Sequence, residues 1–219
     1  MPTVTRIVEQ KKRANRRSIF LDGTFAFGVN LNVVAKFGLH EGQQLSVEDV
    51  EAIQKGSVRQ ECFDHAMRFI EKRMQSRREL EQKLTRQEYG PAIIQSVIEQ
   101  LIEMNYVNDA RFAESRAESA ATYKHHGPNR ARMELAKKGV DRETARRAVE
   151  EVYEGRDTMA TARELAKKKM KSLARLEPHV ARRRLMGMLL RRGFTFDTIK
   201  PVIDEAIGGF DVPDPDTES

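Results

Sequence analysis

Cysteine is almost absent from this chain: Cys62 is the only one in 219 residues. A lone thiol excludes a disulfide framework and any zinc site built on several cysteines. Tryptophan is missing, aromatic residues make up 6% and apolar residues 39% of the chain. One large core would need more apolar material, so several small helical cores are the better fit. No stretch approaches the roughly 20 consecutive apolar residues of a membrane span. The first ten residues lack the apolar centre of a signal peptide. These absences predict a cytoplasmic protein with no membrane partner. A glycine-rich phosphate loop is lacking too, since Gly208-Gly209 precedes no helical pattern.

What the chain has in quantity is charge. Lys+Arg number 39 against 33 Asp+Glu, a net of +6. The excess is uneven. Residues 1–20 carry +5, residues 21–60 carry −2, residues 61–108 carry −1 and residues 109–156 carry +2. Residues 157–200 then carry +8, and residues 201–219 hold six acids and no base. Two basic regions point to a polyanionic partner, because neutralising phosphates supplies affinity without sequence reading.

The first 45 residues read as a small β region. Residues 3–8 are rich in β-branched side chains, and Asp22-Gly23 separates two apolar, aromatic runs. Asp-Gly suits a type I′ hairpin, which would set Phe20 opposite Phe25. Residues 31–37 read as a short helix closed by Gly38, and Ser46 as the cap of another over 47–54. Lys11, Lys12, Arg13, Arg16 and Arg17 form either a mobile arm or a solvated strand end.

From residue 61 the pattern is helical and repeats. Leu84, Leu135 and Leu189 anchor three units spaced 51 and 54 residues apart. Ten residues beyond each anchor begins an i, i+3, i+4, i+7 stripe: Ile94, Val97, Ile98, Leu101; Ala145, Ala148, Val149, Val152; Ile199, Val202, Ile203, Ala206. Gly139 and Gly193 stand four residues after their leucines, where a helix ends; Glu88 holds that place in the first unit. Pro91, Asp141 and Thr195 suit the start of the third helices, and Ser76, Pro128 and Pro178 the start of the second. Connecting helices are expected over 61–74, 109–123 and 157–173. Pro201 should kink the last helix. The predicted fold is mainly α: three tandem three-helix repeats in an elongated curved array, with a small N-terminal β-hairpin region. The expected boundaries are 1–58, 59–108, 109–156, 157–209 and an acidic, disordered tail over 210–219.

Residues 105–113, Asn-Tyr-Val-Asn-Asp-Ala-Arg-Phe-Ala, and the segment Gly127, Arg130, Glu134-Leu135, Lys138-Gly139-Val140 resemble the RecX family of regulators of the RecA recombinase. Ser76-Arg-Arg-Glu-Leu80 and the Phe20–Gly23 hairpin are similar to its neighbouring segments. The resemblance implies a protein that lies in the groove of the RecA–single-stranded-DNA filament. There it would restrain ATP hydrolysis and strand exchange, or destabilise the filament. It implies no cofactor.

The motif residues Tyr106, Asp109, Arg111, Phe112, Gly127, Leu135 and Gly139 read as structural. Tyr106, Phe112 and Ala113 would be core, Asp109 a helix cap, and the glycines backbone punctuation. The candidate binding residues are basic. Arg130, Arg132, Lys137 and Lys138 lie in the second unit. Lys167, Lys168, Lys169, Lys171, Arg182, Arg183, Arg184, Arg191 and Arg192 lie in the third. Arginine suits bidentate phosphate or carboxylate contacts. His125-His126 lack further ligands at metal spacing, and no acid–base pair or nucleophile stands out, so the chain reads as a monomeric non-enzyme without a metal. A rival reading is a helical-repeat protein acting directly on duplex or single-stranded DNA, through Arg142, Arg146 and Arg147.

Overall fold

Asp22 and Gly23 both take positive φ, 47° and 83°, as a type I′ turn requires. This turn joins β2 (Arg13–Leu21) to β3 (Thr24–Asn30), and β1 (Val4–Gln10) adds on the other side of β2 in an antiparallel sheet ordered β1-β2-β3. Phe20 and Phe25 meet edge to face with centroids 5.9 Å apart. The inward face places Val4, Ile19 and Val29 against Val33, Leu39, Leu45 and Ile53. Val33 comes from α1 (Leu31–Phe37), which Asn30 caps and Gly38 ends with a φ of 59°. The computed structural model describes residues 1–11 and 13–208, and only the backbone of Arg13. The expected acidic tail over 210–219 and Lys12 lie outside them.

Ser46 does cap a helix, but α2 runs unbroken over Val47–Lys72 instead of as two helices. Only Gly56 argues for a break, and an interior glycine costs no more than about 1 kcal/mol. Its bare face is used: a Cβ there would lie 2.9 Å from the Phe37 ring. Helix α2 is also tied to the sheet. Arg16 pairs with Glu61, and the Asn30 amide donates to Asp64 Oδ2 at 2.9 Å. Arg17 pairs with Glu9 at 3.3 Å. Arg16 and Arg17 are therefore paired residues of a strand, not a mobile arm.

Contacts divide the chain into two units, Met1–Val107 and the residues from 108 onward. The first unit also holds the first helical repeat: the second half of α2, α3 (Arg77–Thr85) and α4 (Pro91–Glu103). Its core gathers Cys62, Ala66, Leu80, Leu84, Ile94, Val97, Ile98, Leu101 and Val107. The second unit holds α5 (Asp109–Thr122), α6 (Pro128–Lys137) and α7 (Arg142–Tyr153) around Phe112, Ala113, Leu135 and Val149. It continues with α8 (Thr158–Leu173), α9 (Pro178–Arg192) and α10 (Phe196–Ile207) around Leu185, Leu189, Phe194, Ile199 and Ile203. All three anchor leucines are fully buried. Each repeat has its own core, as the low apolar content suggested.

Local chemistry explains most helix ends. Ser76 and Asp141 accept hydrogen bonds from Glu79 N and Thr144 N at 3.1 and 2.9 Å. Thr195 stands at the N-cap of α10 as expected, but its side chain makes no cap hydrogen bond to the backbone; its hydroxyl pairs with that of Thr198 at 3.0 Å. Helix α10 continues through Pro201 to Ile207. Two motif residues are displaced from their expected roles. Asn108, not Asp109, caps α5, accepting from Arg111 N at 3.1 Å, and Asp109 opens the helix. Tyr106 is 48% exposed rather than core. Asn105 takes φ 58° after α4, and the backbone N–H groups of Tyr106 and Val107 both return to Leu101 O. That turn carries Val107 into the core and leaves Tyr106 facing outward.

Candidate polyanion-binding surface

The basic residues of the third repeat do not act as one group. Consecutive helical residues diverge by about 100°, and the lysine run on α8 splits accordingly. Lys167 lines a hollow between α8 and α10 together with Arg163, Glu164 and Glu205. Lys168 approaches Glu164 at 4.0 Å. Lys169 turns the other way and shares a concavity with Arg183, Arg184 and Arg191 of α9, set around Gly187. Arg184, Gly187 and Arg191 are spaced i, i+3, i+7, so they form one stripe. Gly187 leaves room there: a Cβ on it would sit 3.1 Å from Arg191 Nη1.

Four cations thus converge with no acid among the lining residues. Among the described residues, none of the four has a carboxylate within ion-pair distance. Like charges held together in this way repel and favour an anion between them. Arg191 also lines a second hollow, between α6 and α9, with Arg130, Arg192, His126 and Asn129. Met133 and Leu190, about half exposed, border that hollow. A basic surface therefore runs from α8 over α9 to α6.

Two glycines hold α6 and α9 together at this junction. Gly127 N donates to Arg192 O at 2.8 Å and Asn129 N to Gly193 O at 3.0 Å. A Cβ on Gly127 would overlap the Gly193 carbonyl, and one on Gly193 would overlap the backbone of Arg130. Gly127 has an ordinary φ of −78°. It marks the start of α6 as expected, and its bare Cα also permits the close approach. Glu134 lies at the centre of the same region, 2.8 Å from Lys124, 3.3 Å from His126 and 3.5 Å from Arg130. Burial would raise its carboxyl, but the Lys124 hydrogen bond and the surrounding positive charge outweigh this and hold it below its usual value.

The other predicted cations are placed differently. Arg182 is taken by Asp204 at 2.8 Å, whereas Arg192 of the α6–α9 hollow donates only to a backbone carbonyl, Lys124 O, at 2.7 Å. Arg132 donates to Asn129 Oδ1 at 3.1 Å. Lys137 and Lys171 are exposed and line neither hollow, and Lys138 is half-buried on α6. On α7, Arg146 binds Glu143 and Glu150 at 2.7 and 2.6 Å, and Arg147 binds Glu143 at 3.1 Å. The Arg146 hydrogen bond, seconded by Arg147, pulls the Glu143 carboxyl down to about 2. This helix is internally neutralised, which weakens the case for it as a groove reader. Cys62 is buried, and burial pushes its thiol up to about 11, so it is no nucleophile at neutral pH. Asn129, Met133, Gly187 and Leu190 escaped sequence reasoning. A glycine inside the otherwise long-chained run Arg182–Arg192 was the one available signal.

The fold and surface together define a class: a tandem three-helix-domain protein with a basic face on its second and third domains. No helix among the described residues is long and apolar enough to cross a membrane. Residues 62–101, 108–149 and 157–203 match the first, second and third three-helix domains of RecX, and residues 2–46 match the regulatory protein RecX N-terminal domain. Regulatory protein RecX of Bacillus subtilis (strain 168) is 33% identical over 205 residues, spanning 94% of this chain and 77% of that protein. Its namesake in Listeria monocytogenes serovar 1/2a (strain EGD-e) is 30% identical over 211 residues, 96% of this chain and 78% of the relative. The chain belongs to the RecX family of regulatory proteins. A crystal structure of regulatory protein RecX superposes with a TM-score of 0.78 at 21% identity, covering 93% of this chain and all of the other. RecX from Lactobacillus salivarius gives 0.62 at 23% identity, covering 69% and 97%. Both likenesses speak to the fold.

Proposed function

We propose that this protein is a non-enzymatic, cytoplasmic regulator that acts as a monomer on the RecA–single-stranded-DNA filament. It occupies the filament groove and restrains ATP hydrolysis and strand exchange. Membership of the RecX family supports the partner. The observation that carries the mode of binding is the unpaired concavity of Lys169, Arg183, Arg184 and Arg191. Arg130 and Arg192 extend it across the α6–α9 junction. Of the thirteen basic residues predicted from sequence, these six line the two hollows, which supports a single anionic partner shared among them. DNA phosphates or acidic protein surfaces in the groove would lie along that face. The three-helix domains would bridge neighbouring RecA protomers and hinder the motions that accompany the ATP cycle.

DNA-dependent ATP hydrolysis by RecA, measured with the protein at substoichiometric ratio, tests the proposal. Hydrolysis and strand exchange should fall, and the protein should co-sediment with filaments. Unchanged hydrolysis and exchange would remove the proposal. Binding to naked duplex as tightly as to the filament would favour direct action on DNA instead. The ion pairs that already occupy Arg146 and Arg147 argue for the filament reading.

A further inference from the structure

The cationic concavity has no acid of its own, yet acids lie close by along the chain. Near the end of α10, Asp204 holds Arg182 of α9 and Glu205 holds Arg163 of α8, both at 2.8 Å. The last turns of α10 thus already neutralise one cation on each neighbouring helix. Arg182, Arg183 and Arg184 are all exposed. With about 100° between successive residues, they step around α9 rather than along it. The track starts at the α10 side with Arg182, crosses the exposed face at Arg183, and reaches Arg184 beside Lys169 of α8. Any chain that leaves the end of α10 and crosses α9 meets these cations in that order, with Arg191 two turns further along.

The chain that leaves is Gly-Phe-Asp-Val-Pro-Asp-Pro-Asp-Thr-Glu-Ser, residues 209–219, with four acids and no base. These residues lie outside the described structure. Eleven residues can extend about 36 Å, whereas a helix with its side chains is about 10–12 Å across. Four carboxylates match four unpaired cations.

We infer that Asp211, Asp214, Asp216 and Glu218 dock on the surface of Lys169, Arg183, Arg184 and Arg191 and compete there with an external polyanion. The segment is an internal competitor that sets how readily the basic face is occupied. The functional consequence rests on the reading of that face given above; the contact itself does not. Docking is strongest at low salt and is displaced by a longer polyanion that offers more phosphates.

Zero-length carbodiimide cross-linking of the full chain, mapped by mass spectrometry, tests the contact. Links from the four carboxylates should favour Lys169 over Lys200, which is exposed and nearer in sequence. Adding a thymidine oligonucleotide should suppress the Lys169 links. A variant carrying Asp211→Asn, Asp214→Asn, Asp216→Asn and Glu218→Gln tests the competition by fluorescence anisotropy with the same oligonucleotide. It should bind about 3–10-fold more tightly than the parent at low salt, with the gap closing as salt rises. Links that favour Lys200, or equal affinities with no Lys169 links, overturn the inference while leaving a basic DNA-binding face intact. Dominant Lys169 links in a protein that binds no oligonucleotide in either form uphold the contact and count against the polyanion reading instead.

Discussion

Glu88 shows how a single residue can stand against its backbone. It occupies the place that Gly139 and Gly193 hold in the other repeats, and it adopts the same left-handed conformation, φ 64° against 78° and 85°. Leu84, four residues earlier, is buried as firmly as its counterparts, so the repeat imposes the turn and the side chain bears the strain. A non-glycine residue there costs on the order of 1 kcal/mol. Glu88→Gly should therefore stabilise the protein by about 1 kcal/mol, read as a higher urea midpoint with unchanged slope; a lower midpoint would refute the strain. His126 makes a second prediction at this scale. Burial, reinforced by Lys124, Arg192 and Arg130, holds its imidazole below 6.5 despite the nearby Glu134. The folded state then binds fewer protons than the unfolded chain. Stability is complete above about 6.5 and declines as pH falls through that value towards the folded pKa. Glu134, also held low, adds its own loss only below 4.5. Urea unfolding should show a falling midpoint between pH 7 and 5, and His126→Gln should flatten that limb while the steeper loss below 4.5 persists. An unflattened limb would assign the effect elsewhere.

Between elements, the α6–α9 junction separates two uses of glycine. Gly193 and Gly155 are both left-handed, with φ 85° and 70°. Gly155 has nothing within 4 Å of an added Cβ, whereas Gly193 faces the backbone of Arg130. Gly155→Ala should cost about 1 kcal/mol from conformation alone. Gly193→Ala should cost about 2–4 kcal/mol, because overpacking against backbone adds to it. It should also weaken binding at Arg130 and Arg192, whose positions depend on the junction. Equal thermal shifts for the two variants would show that the junction can give. The same contrast explains what the sequence made legible. Apolar stripes, helix caps and the Asp-Gly turn are local signals, and the three repeats and the hairpin follow from them. The run-on of α2 was not legible, because it depends on Phe37 reaching Gly56 across space. Nor was the close approach of Gly127 to Gly193, which joins residues 66 apart. The candidate surface was half legible: the sequence showed the cations, while the partition between Lys169 and its neighbours required the helix phases and the acids that face them.

At the scale of the molecule, charge that has no internal partner is what remains to act on another body. The second and third domains carry many cations, but ion pairs already occupy Arg146 and Arg147 on α7, and Arg163 and Arg182. Counterions condensed on DNA are released only by cations free to replace them, so the salt dependence of binding counts the free ones. Each phosphate neutralised on a single strand contributes about 0.7 to the slope of log affinity against log salt. Replacing Lys169, Arg183, Arg184 and Arg191 together by glutamine should thus lower that slope by about 3 for a single-stranded oligonucleotide. Replacing Arg146 and Arg147 should leave it nearly unchanged, since both are bound to carboxylates before DNA arrives. Five of the six side chains are exposed and Lys169 is half-buried, and none belongs to the apolar cores, so both variants should fold, and circular dichroism checks this. Equal slope changes in the two variants would mean that total charge, not the placement of unpaired charge, governs binding.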